Sequence, residues 1–386
     1  MPSELPLSAD IVVIGGGVMG ASCAYHLVRA GVSDVVLLER ESSFGTGATG
    51  RCAGGVRYQF ATEVNVRLSL ASLPHFESFR EETGLDCSYH KCGYLMVLTR
   101  PEDIEAFQRS LALQNRLGVD TVWMTGDEVR RRLPDMRWPD ALAATFHAGD
   151  GLVDPNSVVM GYIQRGRQLG LKALTDQAVT GIDVHRERVQ AVLTASGRIA
   201  CGGIIDAAGP WAAVVGTMAG VDVPITPVRR QMVTTTPLPA LPQDFPFVID
   251  FAQSLYFHRE GDGLLTGMSN PDEAPGFDQT LDREWEARAL EAAAGRLPML
   301  EGAGRLSGWA GLYEVTPDAH PIFGGTPVEG FWIVAGFSGH GFMHGPVAGQ
   351  LMSELITQGR FVTVDVAALD LARFGEGRLV REYNVV

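Results

Sequence analysis

Positive charge is scarce in this chain: 31 lysines and arginines stand against 45 aspartates and glutamates, a formal net charge of −14 over 386 residues. That balance repels a phosphate backbone. No basic stripe with interleaved aromatics is present either, which argues against nucleic acid as a partner. Long apolar runs are also missing. The longest, around residues 11–28 and 331–343, are broken by glycine, serine or histidine, so no membrane span is expected. The opening MPSELPLSAD has neither a basic n-region nor an apolar h-region, and a cytoplasmic protein is the resulting expectation. Cysteine is sparse. Cys23, Cys52, Cys87, Cys92 and Cys201 are odd in number and scattered, as in a chain of reduced thiols rather than a disulfide framework. The chain has no internal repeat, linker or low-complexity tract.

Glycine, in contrast, is plentiful: 46 residues spread among apolar runs, which suits tight loops packed against a ligand. The length suits about two domains. The first folded segment, DIVVIGGGVMGASCAYHLVRAGVSDVVLLER at 10–40, carries G-x-G-x-x-G at Gly15, Gly17 and Gly20. It reads as a strand, a turn, a helix over 19–30 closed by Gly31, and a second strand over 35–38. Such a turn lets backbone approach a pyrophosphate at the positive end of the helix. Glu39 follows Gly20 where a carboxylate can accept hydrogen bonds from a ribose diol. A dinucleotide is implied, and the motif alone does not separate NAD from FAD.

Further along, 63–80 is helical in pattern and 89–98 reads as a strand. A helix opens at Pro101 and stops at Gly118, and Thr125 with Glu128 forms a capping box. A helix near Ser157 leads to strands over 179–184 and 189–193, and 204–207 reads as a short buried strand. From 224 to 312 the pattern turns β-rich, with one helix near 282–296. The last part returns to strand, glycine loop and helix, with Pro346 expected in that helix's first turn and Gly359 at its stop.

Taken together, Gly15 to Gly20 with Glu39, the loop GATGRCAGGVR, DAAGPWA, TPDAHPIFG and AGFSGHGFMHGPVAG resemble the D-amino acid oxidase and sarcosine oxidase family of FAD enzymes, and within it sarcosine oxidase β-subunits and related amine dehydrogenases. The fold implied is α/β: a discontinuous Rossmann-like FAD-binding domain (1–84, 148–224 and 314–386) with a β-rich α+β substrate domain (85–147 and 225–313). Three glycine-rich loops spent on one ligand suit FAD, held without a covalent link, since Gly311 stands where monomeric sarcosine oxidases attach the flavin to cysteine.

The resemblance also implies site residues. Gly15, Gly17, Val18, Met19 and Gly20 would meet the pyrophosphate, and Glu39 with Arg40 the adenosine. Thr46, Gly47, Thr49, Gly50 and Arg51, followed by Ala53, Gly54 and Gly55, would run along the pyrophosphate and ring. Val179 would touch adenine through its backbone, with Ala208, Gly209 and Trp211 in the second loop. Gly311, Gly339, His340, Gly341, Phe342 and Met343 would meet the isoalloxazine, where a helix start directs positive potential at the ring. Catalytic candidates are Arg57, Tyr256, His258, Tyr313, His340 and Met343. Strand alternation puts Tyr256 and His258 on one face and Arg259 on the other.

Other motifs are better read blandly. GFSGHG lacks the second glycine of a nucleophile elbow. His340 and His344 lack a third ligand, and Cys87, His90 and Cys92 lack a second ligand pair, so no metal is expected. The expected function is oxidation of the C–N bond of an amino acid or a secondary or N-methyl amine by hydride transfer to flavin, giving an imine that hydrolyses. A small substrate and an electron acceptor (oxygen, a quinone or an electron-transfer protein) are the expected partners, with partner subunits left open. A dehydrogenase is favoured over an oxidase, because Leu265 in GLLTG and Met343 occupy places where resembling sarcosine oxidases carry lysine. The alternatives are a nicotinamide-dependent Rossmann dehydrogenase and a non-catalytic FAD-binding subunit of a larger complex.

Overall fold

The computed structural model describes residues 5–385. Its first sheet has eight strands built around Ser8–Ile14, which pairs in parallel with Val35–Leu38 on one side and Gly197–Asp206 on the other. Lys172–Leu174 extends one flank and Phe331–Ala335 the other, both in parallel. Parallel strands are covered on both faces, and the VVLL of the second strand is accordingly buried at every position. The hairpin Val179–His185 with Arg188–Thr194 adds antiparallel strands beside Gly197–Asp206.

One face of this sheet is covered by the helices Val18–Arg29, Pro155–Gln168 and Gly341–Gln358. The first and last of these approach very closely. A Cβ on Gly349 would lie 2.2 Å from Ser22 Oγ, and one on Gly345 would lie 2.5 Å from Val18 Cγ2. The contact brings the N-termini of the first and last helices to the same edge of the sheet.

The second sheet also has eight strands, in the order Arg305–Val315, Thr226–Thr235, Gly263–Met268, Leu255–Glu260, Phe247–Asp250, Tyr94–Leu98, Ala143–His147 and Val122–Thr125. All its pairings are antiparallel except that of Phe247–Asp250 with Tyr94–Leu98. The capping box at Thr125 is present in full, with the Thr125 hydroxyl accepting from the Glu128 N–H and the Glu128 carboxylate accepting in return.

Four expectations change. The strand expected at 89–98 begins only at Tyr94, because Gly93 at φ +79° breaks the extended path. The helix expected over 63–80 is two, Glu63–Glu77 and Phe79–Thr83, divided at Ser78. The short strand expected at 204–207 runs from Gly197 to Asp206, since Gly203 admits the Trp332 ring where a Cβ would sit 2.4 Å from it. Pro346 lies sixth in its helix rather than in the first turn, because the helix already starts at Gly341. Its missing N–H leaves the Phe342 carbonyl without a helical donor. No helix among the described residues is long and apolar enough to cross a membrane.

Candidate functional site

The strand Ser8–Ile14 ends in the glycine turn because nothing else fits there. Gly15 adopts φ +109°, and a Cβ on it would lie 2.5 Å from the Ala207 carbonyl oxygen. Gly20 packs the helix under the turn, its missing Cβ falling 1.8 Å from the Gly15 oxygen. Glu39, at the end of the second strand, draws the loop together: its Oε2 accepts from the Gly16 N–H at 2.6 Å and its Oε1 from the Glu41 N–H at 2.8 Å. Across the turn, Thr49 Oγ1 accepts from the Val18 N–H at 3.1 Å.

These groups border a groove of about 350 Å³. Gly15, Gly17, Val18, Met19, Glu39 and Arg40 line it. Gly47, Thr49, Ala208, Gly209 and Trp211 line it too, with the Arg40 guanidinium 3.6 Å from the Trp211 ring centre. Val179 and Gly341 line it as well, and Tyr313, Gly339 and Phe342 line it where it meets a second cavity. A cleft lined by a carboxylate that closes a strand and by a helix N-terminus fits a dinucleotide such as FAD.

A second cavity of about 110 Å³ adjoins the first through Ala48, Cys52, Leu312, Tyr313, Gly339 and Phe342, which border both. Arg51, Ala53, Gly54, Gly55 and Gly311 line it, as do Arg57, Tyr256, His340 and Met343. Its wall is aromatic, with Tyr94 stacked on Phe247 at 4.1 Å and Tyr256 at 5.9 Å from the same ring. Arg57 is buried, donates to the carbonyls of Gln59 and Asn384, and packs over the Phe60 ring. Burial pushes its pKa down, and the more distant charges of Tyr94, Glu382 and Asp150 offset this only in part. His340 is buried with both ring nitrogens lacking a hydrogen-bond partner among the described residues, and burial followed by His344 and Arg57 holds it neutral. Burial likewise raises the Tyr256 hydroxyl and the Cys52 thiol, the latter to about 11.

Four expected residues line neither cavity. Gly20 and Gly50 serve backbone packing, a Cβ on Gly50 falling 2.2 Å from the Gly45 oxygen. The Thr46 hydroxyl donates to the Ser43 carbonyl at 3.1 Å. His258 shares a face with Tyr256, as alternation required, but stacks on Phe247 deeper in the sheet, and its Nδ1 lies 2.8 Å from the Arg259 carbonyl oxygen. Burial lowers its pKa to about 4. The lysine-equivalent Leu265 is buried beside it and lines neither cavity.

Sequence reading missed Arg230. It lines the second cavity with its guanidinium 5.2 Å from the Tyr313 ring centre. The available signal was parity. Two consecutive arginines in a strand face opposite ways, and Arg229 is taken up by Glu273 and Asp278 on one side. Cys52, Phe247 and Glu314 were also missed. Outside both cavities, His26, His75 and Glu82 cluster as ligands for a metal would, but Arg29 already neutralises Glu82 at 2.5 Å.

Comparison with known proteins fits this geometry. Rat (Rattus norvegicus) dimethylglycine dehydrogenase is 31% identical over 396 residues, covering 97% of this chain and 46% of the relative. Mouse (Mus musculus) sarcosine dehydrogenase is 32% identical over 391 residues, covering 97% and 42%. The chain thus spans less than half the length of these relatives. Among solved structures, L-proline dehydrogenase from P. horikoshii superposes with a TM-score of 0.90 at 32% identity, covering 97% of this chain and 100% of that one. Glycine oxidase from Geobacillus kaustophilus gives 0.84 at 25% identity, covering 95% and 99%. Residues 10–355 match the FAD dependent oxidoreductase (DAO) family, and the chain is a member of that family of FAD-binding flavoproteins.

Proposed function

We propose that this chain oxidises the C–N bond of a small amino acid or N-alkyl amino acid whose carboxylate is held in the second cavity. The observation that carries this reading is that the arginines lining one small cavity have no ion-pair partner among the described residues: Arg51 is taken up by the Thr46 and Ala310 carbonyls, which leaves Arg57 and Arg230. Arg57 donates only to neutral carbonyls, and the buried Nε of Arg230 has no partner there. A guanidinium left in this condition favours an incoming carboxylate. The names of the relatives agree, since dimethylglycine, sarcosine, proline and glycine all carry one.

FAD, when bound, supplies a two-electron acceptor for the hydride leaving the carbon next to nitrogen. The protein's residues orient and dehydrate the substrate. Arg57 and Arg230 fix the carboxylate, and the faces of Tyr94, Phe247 and Tyr256 accept N-alkyl groups while excluding water. The hydride carries off the electron pair of the C–H bond, and the nitrogen lone pair forms the C=N bond of an imine. Water then adds to that carbon and releases the amine. His340, held neutral, adds no charge to repel a cationic imine.

Anaerobic bleaching of the flavin absorbance tests the reading. Sarcosine, dimethylglycine, proline and D-amino acids are compared with matched amines that lack the carboxylate. The expected result is bleaching by at least one carboxylate-bearing amine and not by its decarboxylated match. No bleaching by any of them, or equal bleaching by both kinds, overturns it.

A further inference from the structure

The groove carries a carboxyl that this chemistry leaves unused. Glu314, near the end of the strand Arg305–Val315, lines the groove together with Ala208, Gly209 and Gly339. Its Oε2 is buried and has no hydrogen-bond partner among the described residues. Gly209, at φ +55°, comes so near that a Cβ on it would lie 3.4 Å from that oxygen. Asp206, fully buried at the end of the strand Gly197–Asp206, is held well above the usual carboxylate range by burial first and by the charge of Glu314 second. Asp206 Oδ1 accepts from the Ala208 N–H at 3.1 Å, and its Oδ2 is likewise without a partner. From the 336–339 loop the backbone N–H groups of Gly336 and Phe337 face the Glu314 carboxyl, and that of Ser338 donates to the Glu314 carbonyl at 3.1 Å. The arginines of the second cavity bear on Tyr313 instead.

FAD brings a pyrophosphate dianion into this setting. Ionised carboxylates here, in a chain of formal charge −14, would oppose it, and burial already favours the neutral form of Asp206. A protonated carboxyl removes one of those charges and turns an acceptor into an O–H donor. We propose that Glu314 contacts the cofactor, is held protonated while FAD is bound, and donates a hydrogen bond to an acceptor atom of the flavin. The proposal rests on the reading of the groove as the FAD site. Burial supports it by raising the Glu314 carboxyl to about 7 even in the ligand-free groove, the Gly336 and Phe337 N–H groups offsetting this only in part.

FAD binding then takes up a proton near and above neutral pH. The proton-linked part of the affinity is fully present below the Glu314 pKa of the ligand-free protein. It is lost as pH rises toward the higher pKa of the complex. FAD release from full-length holoprotein on dilution, followed by recovery of free-FAD fluorescence, measures this from about pH 6 to about pH 9. Wild type is expected to release FAD roughly tenfold faster at the upper end. Glu314→Gln, neutral throughout and still a donor, keeps the slow rate across the range. Glu314→Ala is faster by about threefold to tenfold, the effect of one lost hydrogen bond, with no pH slope. Glu39→Ala serves as a control for the groove and is expected to release FAD faster at every pH while keeping the wild-type slope. A Glu314→Gln protein that keeps the wild-type slope, or that releases FAD as fast as Glu314→Ala at low pH, overturns the proposal while Glu39→Ala still reports the groove. If all three variants behave as wild type, the groove assignment falls and the proposal with it.

Discussion

Arg373 clamps Asp318 with two hydrogen bonds, Nε to Oδ2 at 2.9 Å and Nη2 to Oδ1 at 3.0 Å, and both side chains are almost fully buried. The same guanidinium donates to the carbonyls of His320, Leu369 and Asp370. Asp318 is the acid of the TPD segment, and the clamp fixes the turn that carries the chain from Tyr313 and Glu314 back into the first sheet. Burial by itself would raise the Asp318 carboxyl, but Arg373 more than compensates and the net shift is downward. Asp318→Asn leaves a buried guanidinium without its counter-charge and is expected to cost about 3–5 kcal/mol. A group with a depressed pKa stabilises above its unfolded value and loses that contribution as pH falls through the folded one. Urea titration should therefore show the full penalty at neutral pH and a narrowing gap from wild type below about pH 4. A gap that widens on acidification contradicts this account.

Local features were the legible ones. The glycine turn, the carboxylate nineteen residues on and the last helix's stop at Gly359 are each written within about thirty residues, where turn sterics and helix capping decide the outcome. Pairings between distant segments were not. Arg373 meets Asp318 across 55 positions, and Arg230 stands opposite Gly311 in a register that only the folded sheet defines. Parity correctly put His258 and Tyr256 on one face, but it carries no information on depth along the strand, so only Tyr256 reaches the cavity.

Arg230 should separate substrate binding from cofactor binding. Gly311, its cross-strand neighbour, carries no side chain, and Arg51 packs where a Cβ would stand. Arg230→Gln is expected to raise KM for the carboxylate substrate roughly tenfold to hundredfold, the worth of a hydrogen bond to a charged group. Flavin content and absorption spectrum should stay as in wild type. An unchanged KM removes Arg230 from the substrate site.

The flavin should be released by denaturation. Gly311, at the place where monomeric sarcosine oxidases carry the linking cysteine, has no side chain to form a thioether. Cys52 borders both cavities, but burial lifts its thiol to about 11, so the reactive thiolate is scarce at neutral pH. Acid precipitation is expected to leave a colourless pellet and put all the FAD in the supernatant. Yellow colour retained in the pellet, and a flavin-bearing peptide that includes Cys52, would show a covalent bond.

Reduced protein should react slowly with oxygen and pass its electrons to another acceptor. Oxygen takes its first electron as superoxide, so a fixed positive charge beside the reduced ring speeds that step by stabilising the anion. Both places where resembling sarcosine oxidases carry a lysine are apolar here: Met343 borders the second cavity, and Leu265 is buried away from it. Of the cations that remain, Arg51 is turned to the Thr46 and Ala310 carbonyls, and Arg57 and Arg230 are those proposed to be neutralised by the substrate carboxylate, so with product still bound these two offer oxygen little net charge. Stopped-flow reoxidation after anaerobic reduction compares air with an artificial acceptor, and Met343→Lys supplies the missing charge. The expected order is acceptor faster than air in wild type, with Met343→Lys gaining at least about tenfold in air, the effect of roughly 1.4 kcal/mol at the electron-transfer barrier. If wild type is reoxidised faster by air than by the acceptor and forms peroxide in equal amount to product, the protein is an oxidase and the charge argument fails.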